Sequence, residues 1–119
     1  IDFIQLLSPT TSKERMRKII KDSGNMIYYI SMLSTTGGKL KVSPKKIMQN
    51  YNKVKKINRK KNIVIGFGIT NQTIASLKKA DGLVVGSELC KTITDSLKKR
   101  LNTAKVLDKI VYNLKKRII

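Results

Sequence analysis

The chain has 119 residues, with 26 Lys and Arg against 7 Asp and Glu for a formal net charge of +19, one cysteine and no histidine. The missing imidazoles exclude His-based catalytic triads and His-ligated metals from this stretch. Cys90 alone cannot close an internal disulfide, and no apolar run approaches the roughly 18 residues that span a bilayer, so the expectation is a cytoplasmic protein that is neither disulfide-stapled nor membrane-embedded. The charge excess on its own points to nucleic acid or an anionic surface. Its lysines, however, are spread through every helical segment, and with abundant Ile and Asn and few Arg they match the bias of AT-rich coding DNA. They read as a solvated basic face rather than a binding patch, and nucleic acid is not the expected partner.

Ile1, Phe3, Ile4, Leu6 and Leu7 open the chain as a buried strand with no lead-in and no initiating Met, so further residues are expected upstream. Strand candidates follow at residues 26–31, 63–67 and 83–85. Each is apolar at most positions, as strands read when both faces of a parallel sheet are covered. Between them, residues 12–22 carry Met16, Ile19 and Ile20 on one helical face, with Gly24 placed for a left-handed cap. Pro44–Ile57 carries Ile47, Met48, Tyr51 and Val54 at helical spacing, with Ser43 as N-cap and Pro44 at the first helical position. A shorter helix is predicted over 70–79, burying Ile74 and Leu77. A long one is predicted over 95–116, repeating Leu97, Leu101, Ala104, Leu107, Val111 and Leu114. The resulting β-α-β-α-β-α-β-α order calls for a parallel sheet. A closed (β/α)8 barrel takes roughly 200 to 250 residues, so four units form either a small open α/β sheet or half of a TIM barrel. Periodicity alone leaves both open.

Ligands of α/β folds bind at the carboxyl ends of the strands, and three loops there are unusual: Ser34-Thr35-Thr36-Gly37-Gly38, Gly66-Phe67-Gly68 and Gly86-Ser87. A Gly-Ser step that ends a strand and opens a helix offers unpaired N–H groups and the positive helix end to an anion. Gly68 allows close approach of the neighbouring loop, and Thr36-Gly37 can add donors from across the mouth. A Gly-Ser step is also an ordinary helix start. Two such loops separated by one βα unit favour a phosphate cradle.

The runs FIQLLSPTTSKER, IYYISMLSTTGG, VIGFGIT and ADGLVVGSELCKTI resemble, in order and spacing, the last four βα units of the tryptophan synthase alpha subunit family, over essentially the whole chain. The resemblance implies an α/β fold in which residues 1–119 are the C-terminal half of a single TIM-barrel domain. It implies retro-aldol cleavage of indole-3-glycerol phosphate to indole and glyceraldehyde 3-phosphate in tryptophan biosynthesis. It implies no cofactor in this subunit, pyridoxal phosphate being carried by a beta-subunit partner in an alpha2beta2 heterotetramer. Carried over by motif, Gly37, Gly68, Gly86 and Ser87 would hold the substrate phosphate. Leu7, Tyr28 and Phe67 would line the indole pocket, and Thr36 in a mobile loop over residues 32–42 would position a catalytic Asp. Tyr28 and Tyr29 are adjacent, so only one of them can face the barrel interior.

The general acid/base Glu and Asp that the resemblance implies lie upstream of Ile1. The acids present, Asp2, Glu14, Asp22, Asp81, Glu88, Asp95 and Asp108, form no facing pair at strand ends, so no catalytic residue and no metal ligand is assigned here. Two positions depart from the family pattern: Ser34 stands for a Gly of the mobile loop, and Glu88 follows Gly86-Ser87 where a small residue is usual. The Glu88 side chain is expected to lie along the helix, away from the phosphate. Two alternatives of other classes are a basic RNA- or ribosome-binding module using Lys-rich stretches such as 53–61, and a non-catalytic alpha subunit that only supports its beta partner.

Overall fold

The computed structural model describes residues 1–31 and 42–119. Thr36 and Gly37, with Ser34 and the remainder of that loop up to residue 41, lie outside the described residues. Four strands, β1 (Gln5–Leu7), β2 (Met26–Ile30), β3 (Asn62–Gly66) and β4 (Gly82–Leu83), pair in parallel in sequence order. They alternate with α1 (Lys13–Asp22), α2 (Pro44–Ile57) and a short 3-10 helix over Ile74–Leu77, and α3 (Ser87–Lys98) and α4 (Thr103–Lys116) follow.

The strand register sorts side chains into two faces. Leu7, Tyr29, Ile65 and Leu83 are register neighbours, as are Gln5, Ile27 and Ile63. Leu7, Ile27, Tyr29, Ile63 and Ile65 are fully buried in one core with Ile20 of α1, with Ile47, Tyr51 and Val54 of α2, and with Ile74, Leu77 and Leu114. The row between them, Leu6, Tyr28, Val64 and Gly82, faces the other way and is half-buried or exposed, Leu6 at 57%. Helices thus cover one face of the sheet, and an apolar face stays open, as half a barrel requires.

Small residues on that open face accommodate large ones from the strand before. A Cβ on Gly66 would fall 1.7 Å from the Tyr28 hydroxyl oxygen, and one on Gly82 would fall 2.9 Å from a Val64 methyl. Each side chain therefore leans onto the glycine of the next strand.

Several sequence expectations need correction. Ile1, Phe3, Ile4 and Leu6 are exposed, and of the opening apolar run only Leu7 is buried, because β1 is an edge strand with helices on one face. Gly24 is not left-handed. Helix α1 ends instead at an extended Ser23, whose hydroxyl donates to Ile20 O at 3.0 Å, while the Lys61 ammonium donates to the carbonyls of Ser23 and Gly24. The helix expected over 70–79 shrinks to one 3-10 turn, because Thr70 and Thr73 bond to each other's backbone and compete with an α-helical ladder.

The single helix expected over 95–116 is two helices. The Leu101 N–H bonds back to Ser96 O at 2.9 Å and the Arg100 N–H to Leu97 O at 3.1 Å, with Arg100 left-handed at φ 52°, a Schellman stop. Asn102 then caps α4 by accepting from the Lys105 N–H at 3.0 Å.

Candidate functional site

The carboxyl ends of β2, β3 and β4 surround a cavity of about 270 Å³ lined by Tyr28, Phe67, Gly68, Ile69, Val84, Gly86 and Ser87. Five of the eight residues singled out from the sequence meet there: Tyr28, Phe67, Gly68, Gly86 and Ser87. Leu7 is not with them. It lies on the helix-covered face, 1% exposed, opposite in pleat to Tyr28, because adjacent strand residues alternate and Leu7 registers with Tyr29. Leu6, the register partner of Tyr28, is the β1 residue on the open face. Of two larger grooves beside β1 and α1, one is lined by the charged flank of that helix and the other by Leu6, Leu7 and the Ser8–Thr11 loop, and neither gathers a glycine loop.

Each wall of the cavity has a local cause. Helices α1, α2 and α4 are capped by the side chains of Ser12, Ser43 and Asn102, but α3 begins at Gly86 with no side-chain cap. Its first N–H groups have no acceptor within the helix, and the helix dipole adds positive potential at the same point. Ser87 is exposed at that opening, whereas Glu88, half-buried in the first turn, is not among the lining residues. Opposite stands the loop after β3. Phe67 and Gly68 are both left-handed, at φ 72° and 67°, and Phe67 is 56% exposed. A left-handed Phe is strained by roughly 1 to 2 kcal/mol, and such strain persists only where surrounding bonds enforce it. Tyr28 forms the floor, its ring across Gly66.

Two residues that sequence reasoning passed over hold this loop. Ser31, 1% exposed, places its hydroxyl 2.7 Å from both Gly66 O and Phe67 O, and Thr73 donates to Gly68 O at 3.0 Å. The signal for Ser31 was a lone hydroxyl ending an apolar strand. For Thr73 it was the Thr-x-x-Thr spacing after GFGI.

Donors of this kind suit an anion of phosphate size, with an apolar wall from Tyr28, Phe67, Ile69 and Val84 to take a flat apolar group beside it. Among the described residues no cluster of metal-ligating side chains is present. Asp81 sits far along the strands from this edge, at the start of β4, paired to Lys55 at 2.6 Å.

Comparison with known proteins places this geometry. The family profile described as "Tryptophan synthase alpha chain" matches residues 1–118. The chain is 69% identical over 118 residues to the tryptophan synthase alpha chain of Pelagibacter ubique (strain HTCC1062), covering 99% of this chain and 44% of that protein. It is 36% identical over 102 residues to that of Coxiella burnetii (strain CbuK_Q154), covering 84% of this chain and 39% of the relative. The crystal structure of tryptophan synthase subunit alpha from Legionella pneumophila str. Paris superposes with a TM-score of 0.78 at 26% identity, over 97% of this chain and 41% of that one. The chain thus spans about two fifths of the length of the relatives it matches. It belongs to the tryptophan synthase alpha chain family, and its four parallel strands are part of that family's (β/α)8 barrel.

Proposed function

We propose that the chain supplies the C-terminal half of an alpha-subunit barrel, and that its part in the reaction is to bind the phosphate and indole ring of indole-3-glycerol phosphate during cleavage to indole and glyceraldehyde 3-phosphate. The observation that carries this reading is the uncapped start of α3 at Gly86-Ser87 facing the Phe67-Gly68 loop across one cavity, with Tyr28 as its apolar floor. Gly68, Gly86 and Ser87 hold the phosphate, with Gly37 from the loop after β2. Tyr28 and Phe67 flank the indole, and Leu7 supports them from behind the sheet. The general acid and base come from the other half of the barrel, positioned in part by Thr36. Among the described residues no acid lines the cavity. The subunit works in the cytoplasm without a cofactor of its own and passes indole to a pyridoxal-phosphate-containing beta subunit in an alpha2beta2 assembly. By itself this stretch is inactive.

The RNA-binding alternative is weakened in the fold, where two of its cations serve intramolecular bonds. Within the Lys-rich stretch 53–61, Lys55 is spent on Asp81 and on Lys61 O, and Lys61 on the carbonyls that end α1.

The test is a chimera in which this chain replaces the matching 44% of the Pelagibacter ubique alpha chain. Indole release from indole-3-glycerol phosphate, lost on Gly86→Asp through like charge beside the phosphate, is the expected result, since a Cβ at Gly86 itself meets open space. A folded chimera that binds no glycerol 3-phosphate would overturn the reading, and one that binds it without turnover would favour a non-catalytic subunit.

A further inference from the structure

Three consecutive carbonyls in the loop after β3 are held by buried hydroxyls. Ser31 Oγ lies 2.7 Å from Gly66 O and 2.7 Å from Phe67 O, and its backbone N–H also reaches Gly66 O at 3.1 Å. Ser31 has one hydroxyl proton, so the two carbonyls share it in a three-centre bond. Thr73 Oγ1 accepts from the Thr70 N–H at 3.0 Å, which leaves its proton directed at Gly68 O, 3.0 Å away. Both residues are buried, Ser31 at 1% and Thr73 at 9% exposure, so water cannot substitute for either.

In a trans peptide the N–H points opposite to the C=O of the same plane. Fixing the carbonyls of residues 66, 67 and 68 toward Ser31 and Thr73 therefore turns the N–H groups of Phe67, Gly68 and Ile69 the other way. Those three residues line the cavity. Among the described residues none of the three N–H groups has an acceptor. Successive N–H groups presented from a left-handed turn form a concave receptor for an anion, but a left-handed Phe67 would relax if its carbonyl were released.

We propose that Ser31 and Thr73 are positioning residues of the phosphate site: they do not touch the ligand, but hold the strained Phe67-Gly68 turn so that its N–H groups face the anion. This rests on the phosphate-binding reading above. In the chimera, Ser31→Ala and Thr73→Val are expected to weaken glycerol 3-phosphate binding about tenfold and to raise KM for indole-3-glycerol phosphate in step, with kcat falling less than threefold. Thr73→Ser, which keeps the hydroxyl, should bring binding back to within twofold of the parent. A role in folding alone would reduce kcat per mole of protein with KM unmoved, and Thr73→Ser would then track stability rather than affinity. That pattern, or parent-like phosphate affinity in both hydroxyl-deleted proteins, overturns the proposal while the parent still binds glycerol 3-phosphate. Should Ser31→Ala fail to fold, the Thr73 pair decides. A parent chimera that binds no glycerol 3-phosphate overturns the phosphate reading itself, and the positioning role with it.

Discussion

Replacing Gly66 by Ala isolates one packing relationship on the open face of the sheet. The new Cβ would lie 1.7 Å from Tyr28 Oη, 2.1 Å from Cζ and 2.7 Å from Cε1, whereas ordinary contact begins at 3.4 Å, so the ring has to move by about 1.7 Å. Gly66 itself is not left-handed, and its backbone accepts a Cβ without torsional strain. Two features keep the cost small: the obstructing atoms are the far end of a side chain, and Tyr28 is only half-buried on the face that the helices leave open. The stability loss should fall near the bottom of the overpacking range, about 1 kcal/mol, a fall in Tm of roughly 2 to 4 °C for a protein of full barrel size. The effect on binding should be the larger one, since the displaced ring is the floor of a cavity of about 270 Å³. A double-mutant cycle in the chimera, read by urea unfolding, provides the check. With Tyr28→Ala in place the obstruction is gone, so Gly66→Ala should then cost almost nothing, and the coupling should approach the whole ~1 kcal/mol. Equal destabilisation in both backgrounds would refute the reasoning, because the penalty would then belong to the backbone and not to the ring.

Asp81→Asn should destabilise by about 1 to 2 kcal/mol at neutral pH, since the carboxylate accepts from Lys55 Nζ at 2.6 Å and from the Ile63 N–H at 2.8 Å. Burial alone would raise the Asp81 pKa, but Lys55, the Ile63 N–H and Tyr51 outweigh it and hold the group below its ordinary value. The stabilisation is therefore complete above the unfolded-state pKa of about 4 and is lost as pH falls through the folded value. Urea unfolding should show parent and variant converging below pH 4, and a gap that widens there would sink the assignment. Tyr51 is pushed up to about 12, first by burial, then by its hydrogen bond to Asp81 and by the charge of that group. An ultraviolet titration should accordingly show that Tyr51→Phe removes no phenolate signal below pH 11. Arg100→Gly should stabilise by about 0.5 to 1 kcal/mol, because Arg100 occupies the left-handed position of the Schellman stop after α3 at φ 52°. A neutral or destabilising result in thermal melts would mean that the side chain contributes more than the backbone loses.

The strands and the two best helices were legible because their signals are local. The apolar runs gave all four strands to within two residues at most ends, and Ser43-Pro44 fixed the start of α2. What was not legible depends on partners far apart in sequence. Leu7 and Leu6 are both apolar, and only pairing with β2 tells which one shares a face with Tyr28. A left-handed Arg100 carries no sequence mark of the kind glycine would leave, so one hydrophobic repeat concealed two helices. Gly86-Ser87 was readable as an anion site from composition. Ser31 was not, since its role exists only when β2 and the loop after β3 lie side by side, 35 residues apart in the chain.

The polar contacts of the sheet divide by end, and the division explains how the fold supports a strained site. At the amino ends of the strands lie Asp81 with Lys55 and the Ile63 N–H, Lys61 on the carbonyls that close α1, and the Asn62 N–H on Asn25 O at 2.8 Å. They tie together the segments that lead into β2, β3 and β4, and none of these residues lines the cavity. At the carboxyl ends are the left-handed Phe67, the glycine at 68 and the helix start at Gly86 with no side-chain cap. In barrels the carboxyl end carries chemistry and the amino end carries stability. Here the reason is energetic: an uncapped helix forgoes about 1 kcal/mol and a left-handed Phe about as much, losses that are offset at the other end by the solvent-screened Lys55–Asp81 pair, at most about 1 kcal/mol, together with the Ile63 N–H bond to the same carboxylate, about 1 kcal/mol. None of these polar contacts at the amino ends reaches a residue of the cavity. Asp81→Asn should therefore lower unfolding stability while leaving the affinity for glycerol 3-phosphate within twofold, whereas Thr73→Val should lower both, because it leaves Gly68 O and the Thr70 N–H without their buried partner. If the two substitutions affected both properties in the same proportion, the separation of stability from binding along the strand axis would not hold.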